Sequence, residues 1–392
     1  MIANKTMPAA PALAELAAPS ATDFHRPVHC ILGLPFDALT MAQAQAALSD
    51  AIRRPRRCFL STPNLNFLIG CLGDAAFRDS VIRSDLSVAD GMPIIWIARA
   101  LGVPVRERVA GSTLFERLRA PGADPVTVFF FGGPEGVARR AADALNAEHG
   151  AMRCVGARSP GFGSIADMSS PALIDEINQA RPDFLVVALG AKRGQAWIEH
   201  NLARLQAPLV SHLGAVVNFV AGTVARAPER LGGLGLEWLW RIKEEPALWR
   251  RYLEDGFALL KLLLTRVLPG AWTAARLRKA GARRPAPELA LALEDGRCRI
   301  TLKGHWHAGN CLPLRLAFIE ATAQGCDIAL DLGQVSGLDS ACVGLLILLF
   351  GHQSKNKRGF AIAACSAPTR RVLRLACAEY LFNSTSTPGA PA

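Results

Sequence analysis

The sequence predicts an α/β fold in which a mostly parallel sheet carries helices on both faces in a Rossmann-like arrangement. A basic helical appendage and a second, small C-terminal α/β domain follow. Three observations predict this. Short apolar runs alternate with helix-length segments through the first half of the chain. The composition turns Trp- and Arg-rich at Arg226, and an Arg/Pro-rich stretch then precedes a fresh series of strand and helix signals at Leu289. With 392 residues, 51% of them apolar and 20% charged, the chain is long enough for two or three packed cores.

Residues 1–26 are rich in Ala and Pro without periodicity, which predicts a disordered tail. The α/β domain is predicted over residues 27–225. It begins with an apolar segment at Val28, and Thr40 is placed to cap a helix to about Arg53. The apolar run Cys58-Phe59-Leu60 ends in Thr62-Pro63-Asn64, and after a helical segment a short strand ends in Asp90-Gly91. Ser112 to Arg119 is a helix. Val126 to Phe131 is a strand leading into Gly132-Gly133-Pro134-Glu135-Gly136 and a helix from Val137. That order offers backbone N–H groups to a phosphate, or else makes a tight packing turn. Pro182 to Gly190 is a buried strand, a helix covers Gln195 to Leu205, and Leu209 to Ala215 is a further strand.

Residues 226–280 form the appendage, with Trp238, Trp240, Trp249 and several arginines around an apolar helix from Phe257 to Leu268. Such a mixture suits a helix lying in a membrane interface, and equally a helix pair that closes over an active site. No run of eighteen apolar residues occurs, so no spanning helix is expected. Net charge is +11, from 44 basic and 33 acidic residues, and calls for an anionic partner. No nucleic-acid module surrounds the basic run, which leaves an anionic membrane or phosphorylated substrates. Residues 281–288 read as a linker, 289–384 as the second domain and 385–392 as a disordered tail. The ten cysteines stand singly, as buried reduced thiols of a cytoplasmic protein do, and the first twenty residues have no secretory core.

Thr62, Asn64, Asp90 and Arg108 are expected to converge at the carboxyl edge of the sheet, where open α/β folds bind ligands. Singly, each has a plainer reading: Asp-Gly is a turn and Thr-Pro-Asn a helix cap.

Further pieces follow in order: Arg108-Val109-Ala110-Gly111, Phe131-Gly132-Gly133, Pro182-Asp183, Ala188-Leu189-Gly190 with Trp197-Ile198, Gly214-Ala215, Ala221-Gly222, Arg226-Ala227-Pro228, and Leu236-Glu237-Trp238 with Arg241. With them the chain resembles the WecG/TagA/CpsF glycosyltransferases from about Val28 to Tyr252. The resemblance implies inverting transfer of a hexose or N-acetylhexosamine from a UDP-sugar to a polyprenyl-diphosphate-linked acceptor, in exopolysaccharide or other envelope glycan assembly. It implies no cofactor and a metal-independent reaction, and the appendage adds the expectation of peripheral attachment to the anionic inner face of the cell membrane. Asp90 would be the general base, Thr62 and Asn64 would position sugar or diphosphate, and Arg108 would offset charge on the leaving UDP. Gly132, Gly133, Gly190, Gln195, Arg226, Arg241 and Arg250 would serve nucleotide and substrate binding.

Two departures stand out. The family writes Gly-x-Pro-Lys-Gln-Glu-x-Trp where this chain has Gly190-Ala191-Lys192-Arg193-Gly194-Gln195-Ala196-Trp197, so altered donor specificity or reduced activity is expected. The Arg usual just after Pro246 is absent, leaving Arg250 and Arg251. The first departure motivates an alternative, a catalytically weakened scaffold or regulator. In the tail domain, Leu330-Asp331-Leu332 through Leu338-Asp339-Ser340-Ala341-Cys342-Val343-Gly344 resembles the STAS domains of anti-sigma factor antagonists. The serine that regulated members phosphorylate is Ala341 here, so the resemblance implies docking on a protein partner without that switch. A monomer and a homo-oligomer both stay open.

Overall fold

The computed structural model describes residues 23–148, 150–225, 237–279, 285–294 and 296–383. A single turn of 3-10 helix, Asp23–His25, leads into a hairpin of β1 (Val28–Ile31) and β2 (Leu34–Asp37), which is separate from the main sheet. There follow α1 (Met41–Arg53), β3 (Cys58–Ser61), α2 (Leu65–Gly73), α3 (Ala75–Ile82), β4 (Leu86–Ser87), α4 (Met92–Leu101), α5 (Gly111–Arg119) and β5 (Val126–Gly132). Then come α6 (Val137–Ala147), β6 (Met152–Arg158), α7 (Pro171–Gln179), β7 (Phe184–Ala188), α8 (Ala191–Asn201), β8 (Leu209–His212) and α9 (Gly214–Val220). The sheet is parallel throughout, in the order β4-β3-β8-β7-β5-β6.

Side chains alternate across it with period two. Val126, Val128 and Phe130 of β5 join the layer of α1, α5, α6 and α9, while Phe129 and Phe131 join that of α7 and α8. There Trp197 stacks on Phe131 with ring centroids 4.3 Å apart. Helices cover both faces, so the strands read as unbroken apolar runs.

In the appendage, α10 (Glu237–Glu244) precedes a helix continuous from Trp249 to Leu277. It comprises α11 (Trp249–Leu262), a π-helical turn at Leu263–Val267, and α12 (Leu268–Lys279). The sequence reading ends this helix at Leu268, and the structure carries it on through Pro269-Gly270. Pro269 removes one N–H and crowds the preceding turn, and a wider π turn immediately before it absorbs that defect. Although interrupted by charges, the helix reaches a mean hydropathy of 1.2 over eighteen residues, which the search for uninterrupted apolar runs did not reveal. One side packs on α2 and α4 and sends the fully buried Val267 into their core. The other presents Leu253, Phe257, Leu260, Leu264, Leu268 and Trp272, each at least half exposed.

The second domain contains β9 (Glu288–Glu294), β10 (Arg297–Trp306), α13 (Leu312–Ala323), β11 (Asp327–Leu338), α14 (Ser340–Lys355), β12 (Phe360–Cys365) and α15 (Ala367–Leu375). Its sheet runs β12-β11-β10-β9, with β9 antiparallel to β10 and the other pairs parallel. β11 continues to Leu338, where the sequence suggests a loop, and Asp339 caps α14 by accepting from the N–H of Cys342 at 3.0 Å.

The two domains share a core. Phe24, Val28, Cys30 and Ile82 belong to the cluster that includes Val343 and Ile347 of α14. A Cβ on Gly344 would lie 3.2 Å from backbone atoms of His29 and Cys30, so glycine there lets helix and hairpin touch. Polar links surround the contact: His29 Nδ1 lies 3.0 Å from Ser340 Oγ, Arg83 donates to Ser354 Oγ at 2.8 Å, and Tyr380 donates to the Gly33 carbonyl at 2.8 Å. Residues 23–26, placed in the tail by composition, are therefore structural. Phe24 is fully buried, and Arg26 binds Asp37 through two hydrogen bonds of 3.0 and 2.7 Å. Asp37 also accepts the N–H of Ser87 at 2.7 Å, tying the hairpin to the β4 edge of the sheet.

Candidate active site

β3 stops at Ser61, and Pro63 can offer no further ladder N–H. Asn64 then caps α2, its Oδ1 accepting from the N–H of Phe67 at 3.1 Å. Thr62 and Asn64 are thereby fixed at the carboxyl edge. β4 lies in parallel register beside β3, Ser61 opposite Ser87, and the Asp90 N–H donates to the Pro63 carbonyl at 3.1 Å. Gly91, at φ +139°, takes a turn that other residues rarely adopt and leads into α4.

The chain returns to the same place through Val109, whose N–H donates to the Ala89 carbonyl at 2.8 Å. Arg108 Nη2 stands 3.5 Å from Asp90 Oδ1, and the Gly111 N–H donates to Asp90 Oδ2 at 3.3 Å. Both carboxylate oxygens are thus engaged while the Asp90 and Arg108 side chains keep 24% and 20% of their surface exposed. A Cβ on Gly111 would meet Leu213 at 2.3 Å and Thr62 at 3.2 Å, so the loop carrying Arg108 packs directly on the ends of β3 and β8. The structure brings Thr62, Asn64, Asp90 and Arg108 together.

The glycines after β5 have a packing explanation. A Cβ on Gly132 would sit 2.6 Å from the Ala188 carbonyl oxygen, and the Gly133 N–H donates to that oxygen at 2.7 Å. They hold the ends of β5 and β7 close, and the Gly133 N–H is not left for a phosphate. Gly190, at φ +81°, begins α8 with open space around it. Gln195 is 1% exposed and donates to Ser61 Oγ at 2.9 Å, supporting the end of β3 from within the core. Lys192 pairs with Asp74, and Arg193 donates to the Gly163 carbonyl. Arg241 lies over the Phe219 ring of α9 at 5.4 Å and pairs with Glu245 at 3.6 Å. Arg250 lies over Trp249 at 5.4 Å on the appendage, and Arg226 falls outside the described residues.

The sequence reading missed three residues. Asn66 of α2 donates to both Asp255 oxygens at 3.4 Å, anchoring α11 on the helix that Asn64 caps. Asp255 is 8% exposed, and burial raises its carboxyl above the ordinary range. The partners lie 189 positions apart, a separation that no local pattern signals. The third is His212, the last residue of β8. Its Nε2 is closed off from water with no hydrogen-bond partner among the described residues, and burial lowers the pKa of the ring to about 4. On the appendage, Trp238, Ile242, Trp249, Tyr252, Phe257 and Leu260 line an open apolar groove of about 440 Å³.

The model of the glycosyl transferase WecG/TagA/CpsF family matches residues 29–271, and that of the Mlab STAS domain matches residues 289–380. Among curated relatives, an N-acetylglucosaminyldiphosphoundecaprenol N-acetyl-beta-D-mannosaminyltransferase of Bacillus subtilis (strain 168) is 28% identical over 196 residues, 50% of this chain and 74% of that protein. A Staphylococcus aureus (strain NCTC 8325 / PS 47) protein of the same name is 23% identical over 214 residues, 54% of this chain and 82% of its own.

Proposed function

Because the chain belongs to the WecG/TagA/CpsF family of glycosyltransferases, we propose that it moves an N-acetylhexosamine from a UDP-sugar to a polyprenyl-diphosphate-linked acceptor, with inversion and with Asp90 as general base. The observation that carries this reading is the Asp90 carboxylate at the carboxyl edge of the sheet, oriented by Arg108 and the Gly111 N–H and flanked by Thr62 and Asn64. The names of the relatives support N-acetylmannosamine as the sugar and a lipid-diphosphate-linked N-acetylglucosamine as the acceptor.

Asp90 takes the proton of the acceptor hydroxyl as that oxygen attacks the anomeric carbon on the face opposite the diphosphate. The new glycosidic bond forms as the bond to the diphosphate oxygen breaks, UDP leaves with the electron pair, and Asp90 passes its proton to solvent. Arg108 offsets the charge that grows on the diphosphate. This assignment gives a metal no part, so turnover is expected to persist in EDTA, and loss of rate restored by Mg²⁺ would overturn it. The exposed stripe on α11 and α12, with Arg250 and Arg251 at its start, supports placement on an anionic membrane surface where such an acceptor resides.

UDP release from a panel of UDP-sugars with a short-chain lipid-diphosphate acceptor tests the reading. Asp90→Asn keeps the shape of the side chain and removes the base, and an acceptor-dependent rate should fall about 10²- to 10⁴-fold. An unchanged rate would remove Asp90 from its role. No turnover with any donor would favour the scaffold alternative.

A further inference from the structure

We propose that His212 is a specificity-determining residue for the donor sugar, reaching from β8 into the place that a side chain at position 194 would fill. This rests on the transferase reading above. Position 194 begins the second turn of α8, and the α8 run is where this chain departs from the family pattern. A Cβ built on Gly194 would lie 2.1 Å from His212 Cδ2, 2.8 Å from Cγ and 3.1 Å from Nε2. The two positions are therefore exclusive: the imidazole stands there only because residue 194 has no side chain.

The location suits contact with a donor. His212 pairs in register with Val187 of β7, and Ser211 pairs with Leu60 of β3, so residue 212 ends β8 between the two strands whose chains run on to Gly190 and Thr62. Phe67, whose N–H Asn64 caps, lies with its ring centroid 6.2 Å from the imidazole. Gly214, at the start of α9, leaves room for Nε2, which would be 3.3 Å from a Cβ there. Glycine at 194 and 214 thus faces a ring nitrogen that no group among the described residues satisfies. A buried polar atom without a partner costs about 1–3 kcal/mol, which a turn of the ring towards a ligand hydroxyl or amide would relieve.

The chemistry is that of a neutral imidazole, with one N–H donor and one lone pair. It can donate to a sugar hydroxyl or an acetamido carbonyl and accept from a hydroxyl, much as a side-chain amide does. The positive end of the α8 dipole acts in the same direction as burial, disfavouring the imidazolium. His212 is on this account a recognition group and not a second base.

The test compares binding of a UDP-N-acetylhexosamine with binding of UDP alone by calorimetry. His212→Phe keeps a ring and removes both nitrogens. It should lower the preference for the sugar nucleotide over UDP by roughly threefold to tenfold, the worth of one net hydrogen bond, while UDP affinity stays unchanged. His212→Gln, which puts an amide in place of the ring, should recover much of the preference. So should the double variant Gly194→Gln/His212→Ala, which moves the amide onto α8 and clears the ring. If His212→Phe leaves the preference intact, or weakens UDP and UDP-sugar equally, His212 is a packing residue and the inference falls alone. A wild-type protein that binds neither ligand would overturn both the inference and the transferase reading beneath it.

Discussion

His212 has a pKa of about 4 in the folded chain against an ordinary 6.5, and burial is the cause. Above pH 6.5 the ring is neutral folded or unfolded. As pH falls from 6.5 towards 4, the unfolded chain takes up a proton that the folded ring refuses, so stability is lost across that window. His29, lowered by burial, acts in the same direction, and Asp23, held down to about 2, loses its contribution only below its ordinary 3.8. The His212 share is therefore a difference measurement. His212→Phe should show a smaller drop in Tm between pH 7 and pH 4.5 than the wild type, by calorimetry, and equal drops would mean the ring titrates normally. Thr62, Asn64, Asp90 and Arg108 were legible in the sequence because each lies at a strand end or in a turn that announces itself locally. His212 was not, because its meaning depends on a missing side chain on another element.

The helix from Trp249 to Leu277 shows the same limit one level up. Its Trp, Leu and Arg content marked the segment, but not that the helix runs past Leu268 through Pro269-Gly270, which the π turn at Leu263–Val267 accommodates. The inner side is tied down by Asp255 to Asn66, and by Arg266, which donates to the Arg374 carbonyl at 2.6 Å. Each residue of the outer stripe is at least half exposed. Phe257→Glu combined with Leu264→Glu should leave the melting curve nearly unaltered, since both positions are more than half exposed. The same pair should cut flotation with anionic vesicles at least tenfold, because two apolar contacts become two like charges. Retention equal to wild type would show that another surface meets the lipid.

Taken whole, the chain uses its second domain on itself. α14, which follows the loop that resembles the STAS regulatory site, has its Gly344 and Gly351 pressed against the first domain. That a second domain exists was legible from the Arg/Pro-rich break and the renewed strand signals. Where it docks was not, since contacts such as His29 to Ser340 join residues 311 positions apart. A Cβ at position 351 would lie 2.8 Å from Ile82 Cγ2 and 3.1 Å from the Ile82 carbonyl oxygen. Gly351→Leu should therefore prise the domains apart and resolve the single calorimetric transition expected of the wild type into two. One sharp transition in the variant would mean that the junction yields without breaking.

The meeting of first strand and late helix also sets a timetable. A ribosome working at about 5–20 residues per second delivers α14 roughly 15 to 60 s after β1. Until then Phe24, Val28 and Cys30 lack the cover that Val343 and Ile347 of α14 give them. Each nascent chain thus carries a sticky flag that only the arrival of α14 can lower. Chaperones and proteases that sense exposed apolar strands could sort finished molecules from truncated ones by that flag alone.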